Sequence, residues 1–249
     1  MKCLILAAGY ATRLYPLTEN FPKSLLKVNG KTILDWLMDD LISTSFIDEF
    51  IIVSNHKYYQ HFLEWKNNKK IKESVLIIDD GTISNENRLG AVVDIELAIK
   101  KYNISDDLMV IAGDNILDFS FSSFIKYFKL KNATCVMRYY EKDLNKVKKS
   151  ASLVIDSNEK VIEMLEKPDN PSSHYCCPPF YIYHKNDLEK VSLSLLNGCR
   201  KDSPGSFISW LYDKSPVYAY DMPGKRYDIG NLESYQEVSN IYQGITNEK

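Results

Sequence analysis

The sequence predicts an α/β fold, with a mainly parallel sheet in the first half and added, partly antiparallel strands in the second. Three observations lead there. Apolar runs alternate with segments of helical period up to about residue 130. Beyond it the apolar runs crowd together with few helices between them. No Gly/Ser- or Pro-rich linker separates the two stretches, so one mixed domain without internal repeats is expected over residues 1–249.

The elements follow in order. "KCLILA" is a continuous apolar run, as in a strand buried on both faces. "LAAGYATRLYPLTENFPKSLLKV" has neither a helical nor a strand period and reads as a long loop. In "TILDWLMDDLI", Ile33, Leu34, Leu37, Met38 and Leu41 fall at helical spacing, and Lys31 and Thr32 open that helix. Then come "FIIVSN" (strand), "YYQHFLEWK" (helix), "VLIID" (strand), "RLGAVVDIELAIKKY" (helix) and "LMVIAGD" (strand). In the second half "ATCVMRYY", "ASLVID", "VIEMLEK" and "PFYIYH" read as strands, with a hairpin turn at "DSNEK", residues 156–160. Helices are expected at about 187–196, 205–212 and 231–242.

Composition narrows the function. A hydrophobic fraction of 45% over 249 residues builds a core without disulfides or structural metal. The net charge is −2 with no block of like charges, which argues against a nucleic-acid or membrane-surface binder. No apolar run nears the roughly 18 residues of a membrane span, and "MKCLILAAGY" lacks a signal-peptide core, so a cytoplasmic protein is expected. Five scattered cysteines fit that compartment. "HYCC" sets His174 near Cys176 and Cys177, a weak zinc pattern; buried small hydrophobes are the favoured reading.

In a parallel α/β sheet, ligands bind beyond the carboxyl ends of the strands. The long loop leaves one such end and "AGDN" another. Gly9, following Ala7 and Ala8, lets backbone N–H groups approach an anion. Thr12, Arg13 and Lys23 complete a phosphate cradle, in which Arg13 can grip oxygens with a two-pronged fork. A solvated loop is the bland alternative for each residue alone. The loop is not a P-loop: "NGKT" imitates its tail, but the required first Gly falls on Leu25. No G-x-G-x-x-G occurs either. Asp114 in "AGDN" and Asp228 in "RYDIG" are candidate Mg²⁺ ligands, since Mg²⁺ takes one or two carboxylates plus phosphate oxygens. Glu166 and Lys167 of "EKP" could hold a polar, phosphorylated substrate.

The order "LAAGYATRLYPLTENFPKSLL", "AGDN", "EKP", "YDIG" resembles the sugar-phosphate nucleotidyltransferases, or nucleotide-sugar pyrophosphorylases, over roughly residues 2–240. The similarity extends to glucose-1-phosphate thymidylyltransferases and related cytidylyltransferases. It implies a Rossmann-like three-layer sandwich, with a nucleotide-binding half of about 1–130 and an acceptor-binding half of about 131–249. It also implies a cofactor, Mg²⁺, on Asp114 and Asp228, and two substrates: a nucleoside triphosphate, closer to the pyrimidine-using members, and a phosphorylated small-molecule acceptor. Ala8, Gly9, Thr12 and Arg13 would lie along the triphosphate, with Arg13 and Lys23 at the reacting phosphates. Asn85 and Gly90 of "SNENRLG" would face the base. Glu166, Lys167 and Tyr181 would hold the acceptor. A homo-oligomer is compatible with this reading.

Three positions depart from the family pattern. Ala11 replaces the second Gly of the opening motif, Pro179 stands near a usual Gly, and Ala151 falls where a sugar-contacting Gly is common. Two of these lie in the acceptor half, so a phosphoalcohol such as phosphocholine is an alternative acceptor. Phe180, Tyr181 and Tyr183 would suit its quaternary amine. A non-catalytic binding module is the alternative of another class, and the presence of Arg13 and both aspartates argues against it.

Overall fold

The computed structural model describes residues 1–69 and 71–246. In chain order its elements are β1 (Lys2–Leu6), β2 (Lys27–Val28), β3 (Lys31–Thr32), α1 (Ile33–Ser43), β4 (Glu49–Ser54), α2 (His56–Asn67) and β5 (Ser74–Asp79). Then follow α3 (Ala91–Lys101), β6 (Leu108–Ala112), β7 (Asn115–Leu117), α4 (Ser122–Lys131), β8 (Thr134–Tyr140), α5 (Leu144–Val147), β9 (Ala151–Ile155) and β10 (Val161–Glu166). The chain ends with β11 (Tyr175–Cys177), β12 (Phe180–Tyr183), α6 (Glu189–Leu196), α7 (Gly205–Leu211), β13 (Val217–Asp221), β14 (Arg226–Asp228) and α8 (Leu232–Ile241). These form an α/β fold whose early strands are parallel and whose later strands are largely antiparallel. Two compact units interleave along the chain: one takes residues 1–88, 112–123 and 223 onward, the other 89–111 and 124–222.

In the first unit β4 lies between β1 and β5, all parallel, with Leu4 opposite Ile51 and Ile51 opposite Leu76. The apolar runs explain the burial, since Cys3, Leu4, Ile5 and Phe50 through Val53 are wholly enclosed. Thr32 starts α1 with a reciprocal cap: its hydroxyl accepts from the Asp35 amide, and the Asp35 carboxylate accepts from the Thr32 amide. The five apolar positions expected to face inward are all buried. Asn55 caps α2 with a single bond, its side-chain oxygen accepting from the Tyr58 amide. A second core gathers Leu14, Leu26, Val28, Ile33, Ile116, Ile229, Val238 and Tyr242. It fastens the long opening loop, through Leu14, to the last strand and helix of the chain. Burying a leucine of this kind contributes roughly 2 kcal/mol.

In the second unit β12 pairs antiparallel with both β6 and β8, and β11 joins β8 to β9. β9 and β10 form the hairpin expected around "DSNEK". β13 runs parallel to β8, a pairing the sequence did not suggest. Nor did the sequence single out α4, which buries Phe124, Ile125 and Phe128 on one face. α3 starts at Ala91 because Gly90 has a φ of +95°, outside the helical range. Cys176 and Cys177 are buried in β11, and none of the five cysteines is in a disulfide. His174 stacks on Tyr140 and has its Nδ1 2.8 Å from the Glu141 carbonyl. Among the described residues no helix is long and apolar enough to cross a membrane.

Candidate functional site

In the first unit the opening loop turns through two short 3₁₀ segments, Thr12–Leu14 and Lys23–Leu25. The Ala8 carbonyl accepts from Asn55 Nδ2 at 2.9 Å, while the space where a Gly9 side chain would lie is open to 4 Å. Ala11 adopts the left-handed conformation, φ 48° and ψ 42°, and its carbonyl accepts from the Thr18 hydroxyl. Thr12 and Arg13 are exposed. Arg13 has neither an ion pair nor a side-chain hydrogen bond among the described residues, leaving its whole guanidinium available to a ligand.

Lys23 is held differently. Gly113 packs so closely on Ser24 and Ile5 that a side chain there would come within 3.0 Å of each. That contact brings the Lys23 turn beside Asp114, and Lys23 Nζ lies 2.8 Å from Asp114 Oδ2. Burial pushes the Asp114 carboxyl up, but the Lys23 ammonium and the Arg226 guanidinium outweigh it and hold the group below the ordinary carboxylate value. The other Asp114 oxygen accepts from Asn115 Nδ2 at 2.6 Å. Asn115 Oδ1 accepts from Arg226, which also approaches Asp228 Oδ2 at 3.8 Å. Lys23, Asp114, Asn115, Arg226 and Asp228 thus form one continuous polar string.

The string follows from pairing. β7 and β14 run antiparallel with Asn115 opposite Asp228, and the Ile229 amide donates to the Asp114 carbonyl. Two carboxylates 114 residues apart in sequence, 228 minus 114, therefore end on adjoining backbone. As a donor set they fit a hard divalent cation that draws its remaining ligands from phosphate and water. They do not make a protein cage: among the described residues no group of three or more His, Cys, Asp or Glu could hold a metal. Asn115 and Arg226 escaped the sequence reading. The available signal was Arg226 two residues before Asp228, hence on the same strand face.

Asn85 opens a short 3₁₀ turn, and both its carbonyl and its side-chain oxygen accept from Arg88. Gly90 belongs to the second unit. A side chain there would come within 2.7 Å of the Lys201 carbonyl oxygen, which accepts the Val92 amide. The close approach seen at Gly90 is to the chain's own backbone.

In the second unit Glu166 ends β10, and Lys167 turns the chain with a φ of 49°. Lys167 Nζ donates to the Ser203 hydroxyl at 3.0 Å. Burial raises the Glu166 carboxyl above its ordinary value, against the pull of Lys167, Ser203 and Arg200. A cleft of about 470 Å³ opens beside them, lined also by Met164, Ser206, Ser209 and Trp210. The Ser206 and Ser209 hydroxyls are buried, with no hydrogen-bond partner among the described residues. Tyr181 is buried in β12, as are Phe180 and Tyr183, so none of the three offers an open ring face to a quaternary amine. Arg200, Ser203 and Ser206 lie in a loop and helix start that carry no motif.

The chain is similar to several curated proteins. It is 26% identical to the UTP–glucose-1-phosphate uridylyltransferase AglF of Haloferax volcanii, with 99% of this chain and 98% of that one covered. It is 26% identical to the glucose-1-phosphate adenylyltransferase of Fervidobacterium nodosum, covering 95% of this chain and 60% of the other. To the bifunctional protein GlmU of Methanocaldococcus jannaschii it is 28% identical, covering 92% of this chain and 51% of that protein. The chain therefore spans three fifths or less of the last two. Among solved structures, UDP-glucose pyrophosphorylase complexed with UDP-glucose superposes with a TM-score of 0.83 at 20% identity, over 97% of both chains. The UTP-bound enzyme of that name from Acinetobacter baumannii gives 0.76 at 19% identity, over 97% of this chain and 92% of the other. At such identities the likeness is one of fold. The model of the nucleotidyl transferase family matches residues 2–244, and the chain belongs to that family.

Proposed function

We propose that the protein transfers a nucleotidyl group from a nucleoside triphosphate to a sugar 1-phosphate and releases pyrophosphate. The observation that carries this reading is the string from Lys23 to Asp228: two carboxylates interleaved with cations in a chain of this family. The physical task is to join two polyanions. Arg13, without a partner among the described residues, grips the triphosphate in a fork. Lys23 offsets charge at the reacting phosphates and, by holding the Asp114 carboxyl low, keeps it ionised. Asp114 and Asp228 would hold Mg²⁺, which supplies further neutralisation of phosphate charge. Lys167 meets the acceptor phosphate, and Glu166 accepts from acceptor hydroxyls. The acceptor phosphate is already ionised at neutral pH and attacks the α-phosphorus in line with the leaving pyrophosphate. No general base or covalent nucleophile is required.

A pyrimidine triphosphate is the donor we favour, because one relative, matched across 99% of this chain and 98% of its own, is a uridylyltransferase. A sugar is favoured over a phosphoalcohol because Glu166 and Lys167 line the cleft, while Phe180, Tyr181 and Tyr183, the rings that would suit a quaternary amine, are buried. The test is pyrophosphate release with ATP, CTP, GTP, UTP and dTTP against hexose 1-phosphates and phosphoalcohols. Turnover on a hexose 1-phosphate is expected. Turnover on a phosphoalcohol with none on any hexose 1-phosphate would refute the reading.

A further inference from the structure

We infer that Gly205 is a positioning residue for the acceptor: its missing side chain is the space in which the Glu166 carboxylate sits. The inference rests on the reading above that Glu166 binds the acceptor. Gly205 is the first residue of α7, and its backbone conformation is one any residue can adopt. Conformational freedom therefore does not explain a glycine here. Space does. A methyl group at this position would overlap Glu166 Oε2, with the Tyr181 hydroxyl at 3.3 Å and Met164 Cε at 3.4 Å on its other sides.

Ser203, Lys167 and Arg200 are the polar and charged groups acting on the carboxylate, and Gly205 leaves it room among them. Here the colliding atom is the far end of a flexible side chain. At Gly90, by contrast, the colliding atoms are the Lys201 carbonyl carbon and oxygen. Alanine at 205 should therefore expel the Glu166 carboxylate and leave the backbone in place. Alanine is also the better helix former, so folding stability should hold or rise. A change that preserves the fold while moving one carboxylate is the signature of positioning.

Three readouts test this on the full chain. The first is the titration of Glu166 followed by carbon NMR of labelled glutamate. In Gly205→Ala it should fall from its raised value towards that of an ordinary glutamate. The second is steady-state kinetics with UTP and glucose 1-phosphate, or the pair that the wild type turns over best. For Gly205→Ala, kcat/KM for the acceptor should fall about tenfold or more, with KM for the triphosphate unchanged. Glu166→Gln should do the same, and the double variant should be no worse than either single one. Shortening the carboxylate with Glu166→Asp in the Gly205→Ala background should recover part of the loss. The third readout is thermal unfolding.

If Gly205→Ala leaves both the titration and the acceptor kinetics unchanged, the inference is overturned. It is also overturned if Gly205→Ala lowers the melting temperature as a backbone collision would. If the titration moves while neither Gly205→Ala nor Glu166→Gln alters acceptor kinetics, the geometry is right and the acceptor role of Glu166 is wrong, which overturns the inference through its premise.

Discussion

Ala11 stands where the family motif has glycine, and it occupies the left-handed region at φ 48°. That conformation costs an L-residue roughly 1–2 kcal/mol. Glycine would remove the strain but enlarge the unfolded ensemble by about 0.4–1 kcal/mol. Ala11→Gly is thus expected to stabilise the protein by about 0.5–1 kcal/mol, read as the shift in a urea midpoint at constant slope. Arg13, two residues on, has no partner to lose among the described residues. Arg13→Ala should lower kcat and leave the melting temperature within about a degree, since exposed side chains contribute little to folding. Unfolding of this variant would mark Arg13 as structural. Asp114→Asn removes charge from the centre of the polar string. Turnover should drop about a hundredfold or more, in keeping with a transition-state contact worth roughly 3 kcal/mol.

Elements set these residues in place, and two predictions belong at that scale. The turn into α3 needs Gly90, because both its φ and the Lys201 backbone exclude a side chain. Gly90→Ala should destabilise by about 1–3 kcal/mol or more, lowering the melting temperature by several degrees. Asp187 ties β8, through Thr134, to α6, through Lys190, and to the turn before β13, through Ser215. Burial pushes its carboxyl up, but these three partners outweigh that and leave it below the ordinary value. Its stabilising effect is therefore present above the unfolded carboxylate value, near pH 4, and is lost as pH falls through the lower folded value. The stability gap between wild type and Asp187→Asn should be widest at neutral pH and close in acid. A gap that stayed constant down to pH 2 would contradict the assignment.

Elements were legible where one face had a period to show. α1 and the β9–β10 hairpin lie where the apolar spacing and "DSNEK" put them. β13 was not, because "PVYAYD" is short and its partner β8 lies some 80 residues upstream. Pairing at that distance leaves no local trace.

For the molecule as a whole, the candidate residues were legible in their charges and not in their connections. Arg13, Lys23, Asp114 and Asp228 stood out because charged residues in strand-end loops need a reason. Asn115, Arg226, Ser203 and Gly205 did not, since each matters only through a neighbour that folding supplies. Chelation should report on the whole: EDTA is expected to abolish turnover, excess Mg²⁺ to restore it, and melting to change little without nucleotide, because two carboxylates make a weak site alone. The central claim is that a phosphate oxygen of a sugar 1-phosphate takes the nucleotidyl group. Phosphorus NMR of the protein with Mg²⁺, UTP and glucose 1-phosphate, or the pair the wild type turns over best, tests it most directly. The two coupled resonances of a nucleoside diphosphate ester are expected to grow with that of pyrophosphate, and to be absent for Asp114→Asn. Nucleoside monophosphate and pyrophosphate without the ester, or no consumption of any sugar 1-phosphate, would contradict it.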